Sequence, residues 1–136
     1  KDINFSYRHS SLTKNQIITN IEMKGSSLEK NKVLEIMKNL KNKKDLEQPQ
    51  KIKTGGSTFK NPNNSNKKAW QLIKESGCAD LKVGGIKLSN LHCNFLENLG
   101  KASSEDAENL IENIKTEVFK KTNINLELEL EVVGTK

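Results

Sequence analysis

The residue types best suited to chemistry are gathered in one stretch, which runs from Thr54 to Pro62 and reads T-G-G-S-T-F-K-N-P. A glycine pair stands near its start, and glycine adopts backbone angles that other residues avoid and leaves the main chain open to a ligand. The spacing G-x-x-x-x-G-K-[ST] is absent, and no apolar strand precedes the glycines. The stretch therefore fits a phosphate-binding loop poorly.

Three polar side chains of this stretch, Ser57, Lys60 and Asn61, precede Pro62. Proline fixes its own φ and pushes the residue before it toward an extended conformation. We therefore expect the three side chains on a constrained loop, and such loops carry function more often than core elements do. A polar turn between two helices is the alternative that composition alone leaves open.

The positive charge of the chain is carried almost entirely by lysine. Arg8 is the only arginine among 23 basic residues, and the formal net charge is +6. An arginine grips a carboxylate through a planar fork of two nitrogens, which lysine cannot do. The lysines are spread along nearly every segment, and aromatic residues for base stacking are few. A basic nucleic-acid-binding module is therefore an alternative rather than the expectation, and we expect solvated lysine faces.

Length and cysteine content bound the class of protein. The 136 residues suit one domain, or one domain plus a piece of another, and the start at Lys1 without a methionine predicts a fragment. No apolar run reaches membrane-spanning length and no leader is evident, so no membrane partner is expected. Cys78 and Cys93 have only His9 and His92 as helpers, which predicts no metal site. Both are expected to be reduced thiols of a cytoplasmic protein.

In the first third of the chain, apolar and polar residues alternate twice. The pattern predicts a strand over residues 1–10, with Arg8 pointing away from its apolar side, and a second strand over 17–23 in the same sheet. A capping box at Ser26 and Glu29 then predicts a helix over about 27–42. The polar segment that follows, Lys43 to Lys53, is interpreted as a linker containing a domain boundary.

The remaining elements follow the glycine-rich stretch. A short helix is predicted around residues 69–73, with Gly77 as its C-cap. One or two short strands are expected between Ile86 and Phe95, with a turn at Ser89 and Asn90. A capping box and a clear amphipathic stripe predict a helix over about 104–121, with Asn123 as its left-handed exit.

The last predicted strand, Ile124 to Val133, alternates strictly and places Glu127, Glu129 and Glu131 on one face. A solvated face is the simplest interpretation. In the alternatives this face meets a substrate, where one glutamate has a protonation role, or docks a basic partner in a non-catalytic interaction domain. His92 is expected to be a structural hydrogen-bonding residue rather than a general base.

Four segments together resemble one family of proteins. They are Y-R-H-S, G-S-T-F-K-N-P, G-G-I-K-L-S-N-L-H-C-N-F and L-E-L-E-L-E-V-V-G, in that order along nearly the whole chain. They resemble the C-terminal half of the UDP-N-acetylenolpyruvoylglucosamine reductases, also called UDP-N-acetylmuramate dehydrogenases, which are flavoproteins of bacterial peptidoglycan synthesis. The resemblance implies an α+β substrate-binding domain over residues 48–136, an antiparallel sheet with helices packed on one face. It also implies that residues 1–47 are the end of an FAD-binding domain.

The resemblance also implies a reaction. The family reduces UDP-N-acetylglucosamine enolpyruvate to UDP-N-acetylmuramate, with NADPH reducing FAD and the flavin passing a hydride to the β-carbon of the enolpyruvyl ether. Most of the FAD site would lie in the FAD-binding domain missing from this chain. We therefore expect that the chain alone neither holds FAD tightly nor turns over.

The family's functional residues are carried over position by position. Arg8 matches an arginine that polarises the substrate carboxylate, and Ser57 matches the serine that protonates the α-carbon. Asn61 matches a substrate-binding asparagine, and Tyr7 and Lys60 are its expected companions at the substrate.

The catalytic carboxylate depends on how the last segment is aligned. Alignment on Gly134 selects Glu129, and alignment on the E-V pair selects Glu131. Glu129 is preferred because it preserves the whole nine-residue frame of the motif.

Overall fold

The structure is a computed structural model that describes residues 3–13 and 15–134. The chain divides into two compact units, Lys1–Leu34 and Glu35–Lys136. Each unit is described by itself below. Antiparallel strand pairs and separate helices make up the described chain, so the α+β prediction is confirmed.

The first unit begins with a small hairpin of β1 (Phe5–Ser6) and β2 (His9–Ser10). The two strands pair antiparallel, with Phe5 opposite Ser10 and Ser6 opposite His9. The continuous strand predicted over residues 1–10 is therefore wrong, because the chain reverses at Tyr7 and Arg8; the first two residues of that prediction lie outside the described residues. Arg8 occupies the turn with a φ of 56° instead of a strand face.

The second predicted strand, over residues 17–23, is also wrong. This segment has no regular secondary structure, and the side chains of Ile17 and Met23 are 88% and 91% exposed. An alternating pattern yields a strand only where a neighbouring strand supplies hydrogen bonds. The described part of the first unit provides no such partner for residues 17–23.

Helix α1 spans Lys30–Glu47 and crosses the division between the two units. It starts three residues later than predicted and takes in the first part of the predicted linker. The capping box at Ser26 is not formed; instead the carboxylate Oε1 of Glu29 accepts a hydrogen bond from the backbone N–H of Asn31 at 3.3 Å. All residues of α1 are exposed, including its apolar stripe of Val33, Leu34, Ile36, Met37 and Leu40.

The second unit contains α2 (Ala69–Glu75), β3 (Lys82–Val83), β4 (Ile86–Leu88), β5 (Leu96–Asn98) and α3 (Ser104–Thr122). The three strands form an antiparallel sheet in the order β3-β4-β5. Helix α3 packs against β3 and β4, and α2 packs against α3. The strand at Ile86 is confirmed, whereas the pattern at Cys93 and Phe95 belongs to the loop that precedes β5.

The predicted C-terminal helix is confirmed as α3, with the expected signals at both ends. Ser103 caps it by accepting a hydrogen bond from the N–H of Asp106 at 3.0 Å, and Asn123 closes it in the left-handed region. Its apolar stripe is buried and joins α2 and the sheet in the main core, whose fully buried side chains include Phe59, Leu72, Ile73, Leu88, Leu110, Ile114 and Val118. The short helix α2 and the positive φ of Gly77 after it are confirmed as well.

The strand predicted over Ile124 to Val133 is reduced to a single bridge between Leu128 and Phe59. The predicted alternation survives in part, because Leu126 is buried and Glu127 exposed, but Glu129 is half-buried. The ladder cannot extend because its partner is the short segment between Gly56 and Pro62, and proline has no N–H to donate. Among the described helices, none is both long and apolar enough to cross a membrane.

Candidate functional site

The polar stretch identified in the sequence is held as the middle of three extended segments. On one side, Ser57 forms an antiparallel bridge with Phe95, and the N–H of Thr58 donates to the carbonyl of Asn94 at 2.8 Å. Thr58 and Phe59 are 0% and 1% exposed. The segment is therefore anchored by its buried residues, while Ser57 is half-buried beside them.

On the other side, the segment pairs with the chain around Leu128. The N–H of Lys60 donates to the carbonyl of Glu127, and the N–H of Glu129 donates to the carbonyl of Thr58, both at 2.9 Å. These hydrogen bonds place Glu129 opposite Thr58, which is the residue after Ser57. Two residues predicted to be catalytic from distant parts of the sequence are thereby placed on neighbouring segments.

A one-residue bulge precedes Ser57. Asn98 donates its N–H to the carbonyl of Lys53, whereas Ser57 lies opposite Phe95. The three residues between Lys53 and Ser57 therefore lie opposite the two residues between Phe95 and Asn98. Gly56 takes up the excess with a φ of 92°, a conformation that favours glycine. Bulges of this kind redirect the neighbouring side chain, which here is that of Ser57.

The two glutamates left open by the alignment differ in their surroundings. Glu129 is half-buried and paired through its backbone with Thr58, whereas Glu131 is exposed. A carboxylate that is partly withdrawn from water interacts more strongly with a nearby charge or dipole than one in bulk solvent. Of these two carboxylates, Glu129 is the one that is partly withdrawn from solvent.

Lys60 has an acidic neighbour of its own. Its Nζ lies 3.5 Å from a carboxylate oxygen of Glu127, and the side chains of the pair are 39% and 78% exposed. An ion pair this exposed contributes about 0–1 kcal/mol, so it can be exchanged for another anion at little cost. Lys60 thus lies on the same segment as Ser57, opposite Glu127.

Asn61 has a structural contact that the sequence analysis missed. Its side-chain Oδ1 accepts a hydrogen bond from the N–H of Ala69 at 3.0 Å, and Ala69 is the first residue of α2. The first N–H groups of a helix have no partner within the helix, so this contact ties the loop to α2. The carbonyl oxygen of the Asn61 amide is therefore engaged within the protein.

Tyr7 and Arg8 belong to the first unit and form the tip of its hairpin. The guanidinium carbon of Arg8 lies 5.7 Å from the centroid of the Tyr7 ring, within the range of a cation–π contact. The left-handed backbone of Arg8 costs about 1–2 kcal/mol for a residue with a Cβ atom. Strain of this kind is typical of residues whose side chain must be aimed at a particular place.

His92 behaves as the structural residue that the sequence predicted. Its Nδ1 accepts a hydrogen bond from the N–H of Asn94 at 3.2 Å, and its ring lies 4.9 Å from that of Phe95 and 6.1 Å from that of Trp70, measured between centroids. Burial lowers the pKa of the imidazole. Because the acceptor nitrogen must be unprotonated, neutral His92 supports the local turn that leads to Asn94.

Asn94 is the residue that sequence reasoning passed over. It is 5% exposed and hydrogen-bonded to the Ser57 segment through its backbone and its side chain. The signal was a lone amide among apolar neighbours in the run H-C-N-F, a pattern typical of a buried side chain that substitutes for a backbone partner.

No grouping of three or more His, Cys, Asp or Glu residues that could hold a metal ion occurs within 3–13 and 15–134.

These features define an α+β domain in which a serine, a lysine and an asparagine are presented on a loop held between two extended segments. The sequence model of one protein family, the C-terminal domain of UDP-N-acetylenolpyruvoylglucosamine reductase, matches residues 48–133. The chain therefore belongs to that family.

Individual relatives agree with this assignment. The UDP-N-acetylenolpyruvoylglucosamine reductase of Gluconobacter oxydans is 36% identical over 135 residues, which cover 99% of this chain and 44% of that protein. The reductase of the same name from Pelagibacter ubique is 44% identical over 130 residues, covering 95% and 43%. The chain thus spans less than half the length of these curated relatives.

A solved structure supports the fold. The crystal structure of UDP-N-acetylenolpyruvylglucosamine reductase from Thermus caldophilus matches with a TM-score of 0.77 at 33% sequence identity. The match covers 95% of this chain and 45% of that chain. The similarity therefore extends over both units and again reaches only part of the larger protein.

The hydrogen bond to His92 leads to a prediction on pH and stability. Burial lowers the pKa of His92 in the folded chain. In the unfolded chain the same imidazole has its ordinary pKa of about 6.5, so it binds a proton at a higher pH than in the folded chain. The free energy of unfolding therefore decreases as the pH falls below about 6.5. His92→Gln cannot titrate, so we expect it to lose less stability than the unsubstituted chain between pH 7 and pH 5. The measurement is urea unfolding at each pH, with the exposed His9→Gln as control. An equal loss in His92→Gln and the unsubstituted chain would contradict this account.

Proposed function

We propose that this chain is the substrate-binding part of a flavoprotein that reduces UDP-N-acetylglucosamine enolpyruvate to UDP-N-acetylmuramate with NADPH, in the cytoplasm. The product feeds peptidoglycan synthesis and so cell shape and division. Family membership supports the reaction class, and the names of the relatives support the substrate. The boundary between an FAD-binding part at residues 1–47 and a substrate-binding part at 48–136 is proposed with it.

The observation that carries the proposal is the pairing of the Ser57 segment with the Glu129 segment. The hydrogen bond from the N–H of Glu129 to the carbonyl of Thr58, at 2.9 Å, brings a hydroxyl and a half-buried carboxylate to adjacent backbone positions. A protonation site needs a donor and a group that orients or resupplies it. The two segments carry a hydroxyl and a carboxylate, and Lys60 follows Ser57 by three residues.

The flavin, when bound, supplies a hydride to the β-carbon of the enolpyruvyl ether. Negative charge then develops at the α-carbon and its carboxylate. In our proposal the Oγ–H of Ser57 gives its proton to the α-carbon, and the serine oxygen regains a proton from solvent. A hydroxyl is a weak acid, but a carbanion-like carbon is a strong base, so the transfer is favourable. Glu129 is the proposed catalytic carboxylate in this protonation.

Arg8 is the proposed partner of the substrate carboxylate. A guanidinium can bind a carboxylate through two parallel hydrogen bonds, which stabilises the charge that spreads from the α-carbon. The strained position of Arg8 at the hairpin tip, with its guanidinium over the ring of Tyr7, supports a positioned role. Tyr7, Lys60 and Asn61 are proposed to bind the substrate.

The described residues lack one common kind of dinucleotide-binding motif. Within 3–13 and 15–134, no glycine-rich loop of the G-x-G-x-x-G kind leads into a helix N-terminus, which is the usual cradle for a dinucleotide pyrophosphate. Met37 and Leu40, in the exposed apolar stripe of α1, are 61% and 63% exposed. An FAD-binding domain that packed on this stripe would bury it. We propose that FAD is held mainly by the missing FAD-binding domain of the same protein.

The first prediction of this proposal concerns Ser57→Ala in the intact protein that carries this chain. We expect reduction of the enolpyruvyl group to slow by about 10²–10⁴-fold, because the α-carbon loses its proton donor. Flavin reduction by NADPH protonates no carbon and should continue. The two half-reactions are measured separately by stopped-flow absorbance of the flavin. The control is Ser104→Ala, which changes an exposed serine of α3 and should behave as the unsubstituted protein. Substrate reduction at the normal rate in Ser57→Ala would overturn the role of Ser57.

A second prediction separates the two candidate carboxylates. Glu129→Gln keeps the size and hydrogen-bonding reach of the side chain but removes its charge and basicity, so we expect kcat for substrate reduction to fall by about 10²-fold or more. The same change at exposed Glu131 is the matched control and should alter kcat by less than about threefold, since a solvated charge is weakly coupled to the site. The opposite ranking of the two variants would assign the role to Glu131.

A further inference from the structure

The buried amide of Asn94 makes an unusual set of contacts with the loop that bears Ser57. Its backbone carbonyl accepts from the N–H of Thr58 at 2.8 Å. Its side-chain Oδ1 accepts from the N–H of Phe59 at 2.9 Å, and its Nδ2 donates to the carbonyl of Phe59 at 2.8 Å. One residue thereby holds two successive residues of the loop through three hydrogen bonds.

The side chain of Asn94 substitutes for a residue of a neighbouring strand. A backbone partner in an antiparallel pair would offer one N–H and one carbonyl to Phe59, and the amide offers the same two groups. Asn94 is 5% exposed and Phe59 is 1% exposed, so water cannot replace these bonds. Losing one leaves a buried polar group without a partner, which is far more costly than losing a solvated hydrogen bond.

Ser57 depends on this clamp because of its place in the chain. On its N-terminal side stands Gly56, whose φ of 92° belongs to a residue with wide backbone freedom. On its C-terminal side stands Thr58, whose N–H is bound to Asn94. Ser57 itself lies opposite Phe95, the residue that follows Asn94. The backbone of Ser57 is therefore restrained from its C-terminal side, where Asn94 accepts from the N–H of Thr58 and Glu129 donates to the carbonyl of Thr58.

We propose that Asn94 is a positioning residue for Ser57, fixing the serine hydroxyl at the point from which it protonates the substrate. The inference rests on the proposed function, in which Ser57 is the proton donor. Proton transfer to carbon requires close approach, and a displacement of about 1 Å can lower a rate by about 10²-fold. Asn94 acts through the backbone of Thr58 and Phe59 and has no contact with substrate in this role.

The test is Asn94→Asp in the intact flavoprotein. The carboxylate keeps an acceptor for the N–H of Phe59 but sets a negative oxygen against the carbonyl of Phe59, while the protonated carboxyl restores a donor. Burial raises the pKa of a carboxyl group, so the protonated form is favoured as the pH is lowered. We expect kcat for substrate reduction to fall by about tenfold to a hundredfold at high pH and to recover at low pH.

A purely structural role would not produce this profile. Rates are divided by the stoichiometry of substrate binding, measured by titration calorimetry on the same sample. This stoichiometry counts the protein whose substrate-binding part is folded, so loss of folded protein cancels. The expected signature is one additional ionisation in the pH profile of kcat, with KM changed less than kcat. Asn113→Asp, which adds a carboxylate at an exposed position of α3, is the matched control and should show no additional ionisation. A normalised kcat profile equal to that of the control would overturn the proposal.

Combination with Ser57→Ala separates this proposal from the one on which it rests. If Asn94 acts through Ser57, Asn94→Asp should slow the Ser57→Ala protein by less than about twofold, because residues that act as a unit are not additive. Full multiplication of the two effects would overturn the positioning role. Ser57→Ala at the normal rate would instead overturn the proposed function itself.

A second variant covers the case in which Asn94→Asp does not fold. Asn94→Gln keeps the amide but moves it outward by one methylene, so we expect a lower normalised kcat without the additional ionisation. A normal kcat in this variant would overturn the proposal. Failure of both variants to fold would also overturn it, because the contribution of Asn94 would then be to folding.

Discussion

The arrangement of the site depends on a short set of backbone hydrogen bonds that hold the Ser57 segment between two others. One neighbour brings Asn94 and Phe95, and the other brings the glutamate segment through the bond from Glu129 to Thr58. The segment itself is short, because a glycine bulge precedes it and a proline follows it. Nearly all of its order is therefore imposed by residues distant in sequence, which the α2, α3 and sheet core hold in place.

The parts of the fold that the sequence predicted are those governed by local signals. Helix α3 has a capping residue, a continuous apolar stripe and a left-handed exit, and all three are confirmed. The two N-terminal strands and the final strand were predicted from alternation alone, and alternation does not say whether a pairing partner exists. Residues 17–23 have none among the described residues, and the final segment has only the short Ser57 segment, so its predicted ladder shrinks to one bridge.

The candidate site shows the same division. The loop residues were identified by their types and by resemblance, and the structure places Ser57, Lys60 and Glu129 on adjacent segments. Two contacts were not predictable from the sequence. Asn61 caps the first turn of α2 through its side-chain oxygen, and Asn94 clamps Phe59 with its amide. The first contact joins residues 8 positions apart and the second joins residues 35 positions apart. No periodicity or spacing rule predicts such pairs.

The most direct test of the central claim, that this loop binds the enolpyruvyl substrate, is titration calorimetry of UDP-N-acetylglucosamine enolpyruvate with the intact protein. Asn61→Asp keeps the acceptor for the N–H of Ala69 while removing the amide donor. The account predicts binding by the unsubstituted protein, weakened about tenfold to a hundredfold in this variant, as for a lost hydrogen bond to a charged group. Asn64→Asp, an exposed neighbour with the same added charge, should bind normally. Absence of binding, or equal affinity in the two variants, would contradict the account.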